Sequence, residues 1–350
     1  MAAGPPSKSA QPISLALQGG GAHGAFTWGV LDRLLEEPDL DIQAISGTSA
    51  GALNGAALKS GLVQGGADGA KSALEALWQQ VGAVDVPGLS TWMNGIPTDQ
   101  ISQSLELSPA FAWADAAARV FSPYGSGPFY SNPLRPIVDQ FDFDRVCADC
   151  LPDLHVCATA VRSGKVRIFR GTEITTDAIL ASACLPTLFR AIEIESPETG
   201  EREPYWDGGY TGNPALFPLY SGGDPVDIVI ININPLERAD TPVTPQQIQN
   251  RINEISFNSS LLREVRAISF VQRLLDDGTL PEGRMARVRV HMIADDDLMN
   301  DLSVATKLIP NPVVLSRLKS AGRSAAERFL NDHKSDIGVR SSVDMAAMLQ

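Results

Sequence analysis

The sequence contains few cysteines and few basic residues, and both shortages exclude classes of protein. Only four of the 350 residues are cysteine, which is too few for a disulfide framework in a chain of this length. Basic residues number 28 against 41 acidic ones, so the formal net charge is −13. A field of this sign repels nucleic-acid phosphates, and no local basic patch interrupts it. We therefore expect a reduced, cytoplasmic protein that does not bind nucleic acid.

Signals for membrane insertion and for secretion are also scarce. No uninterrupted apolar run reaches the length of a membrane span. The first twelve residues lack the basic start and the apolar stretch of a secretory signal, and we expect residues 1–12 to be a flexible N-terminus. The hydrophobic content of 44% and the charged content of 20% are those of a globular protein. The length allows one large α/β domain.

Short apolar runs alternate with segments of helical periodicity along most of the chain. A helix is predicted after each of the first two strands, and the helix that begins near Ala50 is expected to end at Gly61. The nearly continuous apolar run at 226–233 is typical of a strand that is covered on both faces. The predicted strands are residues 13–17, 42–45, 154–160, 166–169, 226–233 and 287–292. This order predicts an α/β fold with a mainly parallel central sheet between layers of helices.

Two segments interrupt the alternation. Residues 84–135 are rich in proline, glycine, serine and aromatic residues, and we interpret them as a lid-like insertion over one edge of the sheet. Residues 245–275 predict one long amphipathic helix with Thr244 as its N-cap. Acidic and basic residues are mixed in this helix, which favours packing on the core over a position on a membrane surface. We expect a single domain over residues 13–332 and a loose tail over residues 333–350.

Two glycine-rich turns follow the first two strands. The first, Gly19-x-Gly21-x-x-Gly24, satisfies the dinucleotide-binding fingerprint, which alone is weak evidence. The second, Gly47-Thr48-Ser49-Ala50-Gly51, is a G-x-S-x-G motif between a predicted strand and a predicted helix. In that context the motif exposes a nucleophilic serine on a sharp turn. Attack by Ser49 on an ester would place negative charge on the carbonyl oxygen, and the N–H groups of Gly19, Gly20 and Gly21 could stabilise that charge.

The serine requires a base, and the sequence offers two arrangements. Asp207 precedes Gly208 and Gly209, a pair that fits a tight turn and exposes the acid. His291 comes after both Ser49 and Asp207, as the histidine of an α/β-hydrolase triad does, so a triad is the alternative to a Ser-Asp dyad. An aspartate with an ordinary pKa of about 3.9 is a poor match for an alcohol proton. A dyad would therefore depend strongly on the oxyanion loop and on exclusion of water.

Together these motifs resemble the patatin-like phospholipase family of serine acyl hydrolases. The matching segments are Gly19 to Gly24, Gly47 to Gly51, Asn132 to Leu134, Ala181 to Pro186 and Asp207 to Gly209. The resemblance implies a three-layer α/β/α sandwich and a Ser49–Asp207 dyad that hydrolyses acyl esters of lipids. It also implies no catalytic histidine, no cofactor and no obligatory metal. Gly47, Gly51, Gly208 and Gly209 would support the two turns that carry the dyad.

His23 departs from the family, which usually has Arg or Lys at this position. A histidine would supply a positive charge beside the oxyanion loop only when protonated, and activity would then depend on pH near neutrality. The other interpretation places the ring in solvent at the start of a helix.

The sequence thus predicts a hydrolase whose partner is a lipid or another acyl ester. Transient contact with membranes or lipid aggregates is expected, at a cytoplasmic location peripheral to membranes or lipid bodies. Two hypotheses from other classes stay open: a nucleotide-binding protein that uses the first glycine turn, and a lipid-binding scaffold without catalysis. The sequence makes no prediction of the oligomeric state.

Overall fold

The structure is a computed structural model that describes residues 10–83, 97–106, 108, 122–196, 200–221, 226–238 and 241–349. The strands are β1 Gln11–Leu17, β2 Leu40–Thr48, β3 Asp153–Ala160, β4 Val166–Arg170, β5 Ile192–Glu195, β6 Arg202–Asp207, β7 Val226–Ile231 and β8 Val288–Ile293. The helices are α1 Gly24–Leu34, α2 Ala50–Gly82, α3 Thr98–Glu106, α4 Arg135–Val138, α5 Phe143–Val146, α6 Thr176–Ser182, α7 Pro245–Asp276, α8 Asp296–Asn300, α9 Val304–Leu308, α10 Pro312–His333 and α11 Met345–Met348.

Hydrogen-bonded pairs link the strands into one sheet along the path β5-β6-β3-β2-β1-β7-β8. Strand β4 pairs with one side of β3, and β2 and β6 share the other side. The strands from β3 through β2, β1 and β7 to β8 are parallel to their neighbours. Strands β4 and β6 are antiparallel to β3, and β5 is antiparallel to β6. All six predicted strands are present, with ends shifted by a few residues. The prediction of an α/β fold with a central sheet between helices is confirmed.

Helices cover both faces of the sheet because side chains of successive strand residues point to opposite sides. Leu15 and Leu17 of β1 belong to one core, together with apolar residues of α1, α2, α6 and α10. Ala16, between them, belongs to a second core, which β7 and β8 share with Leu261 and Val265 of α7. The two cores make three layers.

Helix α2 is longer than predicted. It continues past Gly61 to Gly82 and is interrupted only at Gly65 and Gly66, whose backbone angles are not helical. A Cβ at Gly61 would overlap the backbone of Ala70. Gly61 is therefore not a helix end. Its missing side chain allows the two halves of α2 to approach each other closely after the break.

Helix α7 agrees with the sequence in its bounds but only partly in its packing. Thr244 caps the N-terminus in a capping box, and Pro245 occupies the first turn, as predicted. Leu261, Val265 and Ile268 are buried in the second core, whereas the N-terminal half of the helix leaves three isoleucines exposed. The expectation that the whole apolar stripe packs on the core is wrong for this half. Among the residues that the structure describes, no helix has the length and apolarity needed to cross a bilayer.

The expected loose tail is instead packed, so that expectation is wrong. The N–H of Gly338 donates to the Asp227 carboxylate at 2.8 Å, and the N–H of Ser342 donates to the carbonyl of Val290 at 3.2 Å. Helix α11 then contacts the second core through Met345 and Met348. The loss of helical periodicity after α10 therefore indicated a segment with little regular secondary structure, which nevertheless packs on the rest of the fold.

Much of the predicted lid-like insertion, residues 84–135, lies outside the described part of the chain. The residues concerned are 84–96, 107 and 109–121. The described remainder contains α3 and a short 3-10 turn at Pro123–Phe129. The Arg190 guanidinium lies 4.7 Å from the ring centre of Tyr130 and donates to the carbonyl of Pro123. A lid function stays a prediction. Of the expected flexible N-terminus, residues 1–9 lie outside the description, and β1 already includes Gln11 and Pro12.

Candidate active site

Strand β2 ends in a sharp turn that carries Ser49. The φ of Ser49 is 54° and its ψ is −119°, a conformation that costs a residue with a side chain on the order of 1–3 kcal/mol. A Cβ at Gly47 would lie 2.5 Å from the Gly51 carbonyl oxygen, and a Cβ at Gly51 would overlap the Leu17 carbonyl. Only glycine at these two positions lets strand and helix come so close. The N–H of Ser49 donates to the Ser182 hydroxyl at 2.9 Å, which holds the turn.

The sheet register brings Asp207 to the same point. Residues 155–157 of β3 pair with both β2 and β4, so these two strands lie on opposite sides of β3. Residues 158 and 159 pair with both β4 and β6, which places β6 on the same side of β3 as β2. Thr48 pairs with Cys157, and Asp207 pairs with the next residue, Ala158. The ends of β2 and β6 therefore meet beside β3.

The Asp207 carboxylate has an altered acidity in this position. The residue is only 2% exposed, and burial raises its pKa to about 7 although hydrogen bonds from the Gly209 N–H and the Ser49 side chain oppose the rise. The Gly209 N–H lies 2.8 Å from the carboxylate. A Cβ at Gly208 would overlap the carbonyl of Cys157, so this turn also requires glycine. The mismatch between an ordinary aspartate and an alcohol proton is thereby reduced.

The glycine-rich loop differs in one respect from the prediction. The N–H of Gly19 donates to the Asn213 side-chain oxygen at 2.6 Å, so it is not available to an oxyanion. Gly20 and Gly21 line the cavity beside Ser49. Within the described residues their N–H groups have no acceptor. Gly19 is therefore removed from the predicted set of three donors, and a role for Gly20 and Gly21 stays a prediction.

Buried side-chain amides hold this loop, and the sequence analysis missed them. The Gln18 side-chain oxygen accepts from the N–H groups of Ile233 and Asn234 at 2.9 and 3.1 Å. The Asn234 amide donates to the carbonyl of Gly19 at 2.8 Å. Gln18 and Asn234 follow β1 and β7, which are parallel neighbours, so polar residues after these strands meet at one edge of the sheet. Polar residues directly after these two apolar strands were therefore the sequence signal that could have identified Gln18 and Asn234.

His23 is neither a cation nor in solvent. It is 1% exposed, and its Nε2 lies 2.9 Å from the Thr306 hydroxyl. Burial lowers the pKa of His23 well below its usual value, and the nearby charge of Lys307 lowers it further. The ring is therefore neutral near neutral pH, and both interpretations made from the sequence are wrong.

Replacing His23 by arginine should destabilise the fold. A guanidinium would enter a buried site that already faces Lys307, and an uncompensated buried charge costs roughly 3–5 kcal/mol. His23→Gln keeps an N–H donor for Thr306 and should cost less than about 1.5 kcal/mol. Urea denaturation of both variants at slightly alkaline pH measures the difference. Equal stability of the two variants would contradict the buried, neutral ring.

The positive charge beside the loop comes from the C-terminal third of the chain. A Cβ at Gly21 would overlap the carbonyl of Lys307 in α9, so the lysine backbone packs directly on the loop. The Lys307 amine lies 3.0 Å from the Glu254 carboxylate, which Arg238 also contacts at 2.8 Å. Burial opposes ionisation of Glu254, but the two cations lower its pKa to about 2. Neither Lys307 nor Glu254 was singled out from the sequence.

These elements enclose a cavity of about 390 Å³ that contains Ser49 and Asp207. Its apolar lining residues include Leu185, Leu188, Tyr210, Phe257 and Leu308. Its polar lining residues include Asn234, Gln249, Asn250, Asn253, Glu254 and Lys307. The cavity can therefore hold a ligand with an apolar part and a polar part.

His291 lies elsewhere, which excludes it from a triad with Ser49. Its Nε2 is 3.0 Å from Asp227, and its Nδ1 is 3.2 Å from the Ser342 hydroxyl. Both ring nitrogens are thus engaged with groups away from the cavity, and the residue connects β8 to the C-terminal segment. The triad alternative is wrong.

The model of the patatin-like phospholipase family matches residues 15–220. No curated protein matches the chain by sequence. VipD from Legionella pneumophila is similar at 14% identity over 92% of this chain and 67% of that chain, with a TM-score of 0.42. Full-length ExoU, solved with full-length SpcU from the type III secretion system of Pseudomonas aeruginosa, is similar at 16% identity over 92% of this chain, with a TM-score of 0.27. The chain spans 53% of ExoU.

Proposed function

Because the chain belongs to the patatin-like phospholipase family, we propose that it cleaves carboxylic esters of lipids through Ser49 and Asp207. Family membership supports hydrolysis of lipid esters in general. A cytoplasmic location remains a prediction from the sequence.

The observation that carries the proposal is the meeting of Ser49 and a buried Asp207 in one cavity. In the first step the Ser49 oxygen bonds to the carbonyl carbon while its proton passes to the Asp207 carboxylate. The carbonyl electron pair moves to the oxygen, which the N–H groups of Gly20 and Gly21 and the N-terminus of α2 stabilise.

The intermediate then collapses. The bond to the leaving alcohol breaks, and Asp207 returns the proton to that alcohol, which leaves an acyl group on Ser49. Water attacks the acyl carbon while Asp207 accepts a water proton, and the second collapse releases the carboxylic acid and restores the serine. One carboxylate thus serves as base and then as acid in each half of the cycle.

The apolar and polar lining residues of the cavity indicate how a lipid ester binds. The acyl chain lies along the apolar residues, where Leu185 and Phe257 exclude water from the reaction. The head group lies against the amides of Asn250 and Asn253. The carbonyl carbon is then held between these regions, beside Ser49.

Covalent labelling with a fluorophosphonate tests the proposal. We expect the probe on Ser49, mapped by peptide mass spectrometry. The labelling rate should fall roughly hundredfold from pH 8 to pH 5, because Asp207 with a pKa of about 7 becomes protonated and can no longer act as a base. Labelling of a different serine, or no labelling, would favour the nucleotide-binding or scaffold hypothesis. A flat pH profile would remove Asp207 as the base.

A further inference from the structure

Helix α7 carries an exposed face that the second core does not use. We define this outer face as Ile248, Ile252, Ile255, Arg263, Arg266, Phe270 and Arg273, all of which are exposed. Their spacings of three and four residues, continued by Ser259, place them on one side of the helix. Ile252, Ile255 and Phe270 each expose more than half of their surface, at 53, 54 and 53%. Large apolar residues in such a row are unusual on a protein surface without a partner.

The acidic residues of α7 turn away from this face. The helix contains three acids, Glu254, Glu264 and Asp276, of which Asp276 pairs with Arg287 at 2.7 Å. Glu254 is buried against Lys307, and Glu264 accepts the N–H groups of Leu216 and Phe217 at 3.0 and 2.7 Å. The mixture of charges seen in the sequence thus separates in the fold. The outer face is apolar and cationic, although the chain as a whole has a charge of −13.

The three arginines of the outer face have no ion pair. In the part of the chain that the structure describes, no carboxylate lies within 4.0 Å of their guanidinium groups. Arg263 donates to the Ser259 carbonyl and hydroxyl, and Arg273 lies 5.8 Å from the ring centre of Phe270. Hydrogen bonds from Thr279 lower the pKa of Asp277, the C-cap of α7, and the charge of Arg273 lowers it further, whereas Arg263 and Arg266 keep their positive charges available beside the apolar row.

We propose that the outer face of α7 docks on an anionic lipid surface. An apolar row with arginines beside it matches a bilayer boundary, where isoleucine and phenylalanine enter the acyl region and guanidinium groups contact lipid phosphates. The opposite side of the same helix contributes Gln249, Asn250 and Asn253 to the cavity. Docking therefore places the cavity directly behind α7, one helix diameter or roughly 10 Å from the lipid surface. The inference extends the proposed function, but docking itself requires no turnover.

Vesicle sedimentation of the full chain with Ser49→Ala, which leaves the lipid intact, tests the proposal. We expect binding to vesicles of phosphatidylcholine with about one third phosphatidylglycerol, and weaker binding to phosphatidylcholine alone. The triple variant Arg263→Gln, Arg266→Gln and Arg273→Gln should lose roughly hundredfold in affinity, because each arginine near such a surface contributes about fivefold. The variant Ile248→Ser, Ile252→Ser and Ile255→Ser should lose at least about tenfold.

A charge-matched control is Arg162→Gln, Arg202→Gln and Arg340→Gln, which removes three exposed arginines from other surfaces. This control should bind as the parent does. Equal losses in the control and the outer-face variant would overturn the proposal, as would unchanged binding of the outer-face variants. The parent protein could also be a dimer that does not bind vesicles, with the arginine variant monomeric. The outer face would then be an interface between two copies of the chain, and the docking proposal would be overturned. Failure of docking would leave fluorophosphonate labelling intact, so the two proposals fail separately.

Discussion

Ser49→Ala should reduce hydrolysis of short acyl esters by at least about 10⁴-fold, because it removes the oxygen that attacks the ester in the proposed mechanism. The variant should stay folded, since Ser49 holds its backbone through its N–H to Ser182 rather than through its hydroxyl. Steady-state assays with an acetyl ester, together with circular dichroism, measure both effects.

Ser46→Ala is the matched control for this substitution. Ser46 lies in β2, three residues before Ser49, and is also buried, but its hydroxyl donates to the carbonyl of Ala215 at 2.5 Å. Its removal should cost about 1–3 kcal/mol of stability and leave the turnover rate close to that of the wild type. Hydrolysis by Ser49→Ala at more than about one hundredth of the wild-type rate would refute a serine mechanism.

Asp207→Asn should lower turnover by about 10³-fold or more and, at the same time, stabilise the fold above pH 7. The carboxyl has a pKa of about 7 in the folded chain against 3.8 as its ordinary value. Because the folded pKa is raised, the folded state is favoured most at low pH, and stability is lost as the pH rises from 3.8 through 7. Asparagine carries no charge to bury and still accepts the Gly209 N–H. The gain in unfolding free energy at pH 8 should be on the order of 3 kcal/mol, measured by urea denaturation.

Asp227→Asn provides the comparison for Asp207→Asn. Asp227 is also buried, but His291 and the Gly338 N–H stabilise its ionised form, so burial does not prevent its pKa from being lowered. This substitution should destabilise the fold and leave turnover nearly unchanged, as should His291→Ala. Loss of turnover in His291→Ala without unfolding would restore the triad. An Asp207→Asn variant that is less stable than the wild type at pH 8 would contradict the raised pKa.

The sequence was informative wherever a local pattern carries the structure. The turn at Ser49 has a short motif, β7 is a nearly continuous apolar run, and α7 has a capping box and a regular stripe. The β5–β6 hairpin was not predicted, since the alternation in Ile192–Glu195 is a strand signal of only four residues and β6 contains Pro204 and charged residues. The position of Asp207 at the end of β6 therefore had to come from the fold.

Other features of the site depend on contacts between distant segments, which no local pattern encodes. The engagement of Gly19 with Asn213 and the burial of His23 under α9 are of this kind. Helix α10 is different, because Asn311 and Pro312 form a recognisable start and Val314 and Leu318 continue it with helical spacing. This helix could have been predicted. The inward turn of Glu254 and Glu264 could not, since helical charge content does not specify which side faces the core.

The packed C-terminal segment that follows α10 also covers part of an edge strand of the sheet. Strand β8 is the last strand in the sheet order, so one row of its N–H and C=O groups faces away from β7. At Val290 that row is occupied: its N–H donates to the Ser341 hydroxyl at 3.0 Å, and its carbonyl accepts from Ser342 at 3.2 Å. An open strand edge invites a strand from another molecule to add to the sheet. A chain cut after His333 would keep Ser49 and Asp207 together but would offer β8 as a template for aggregation.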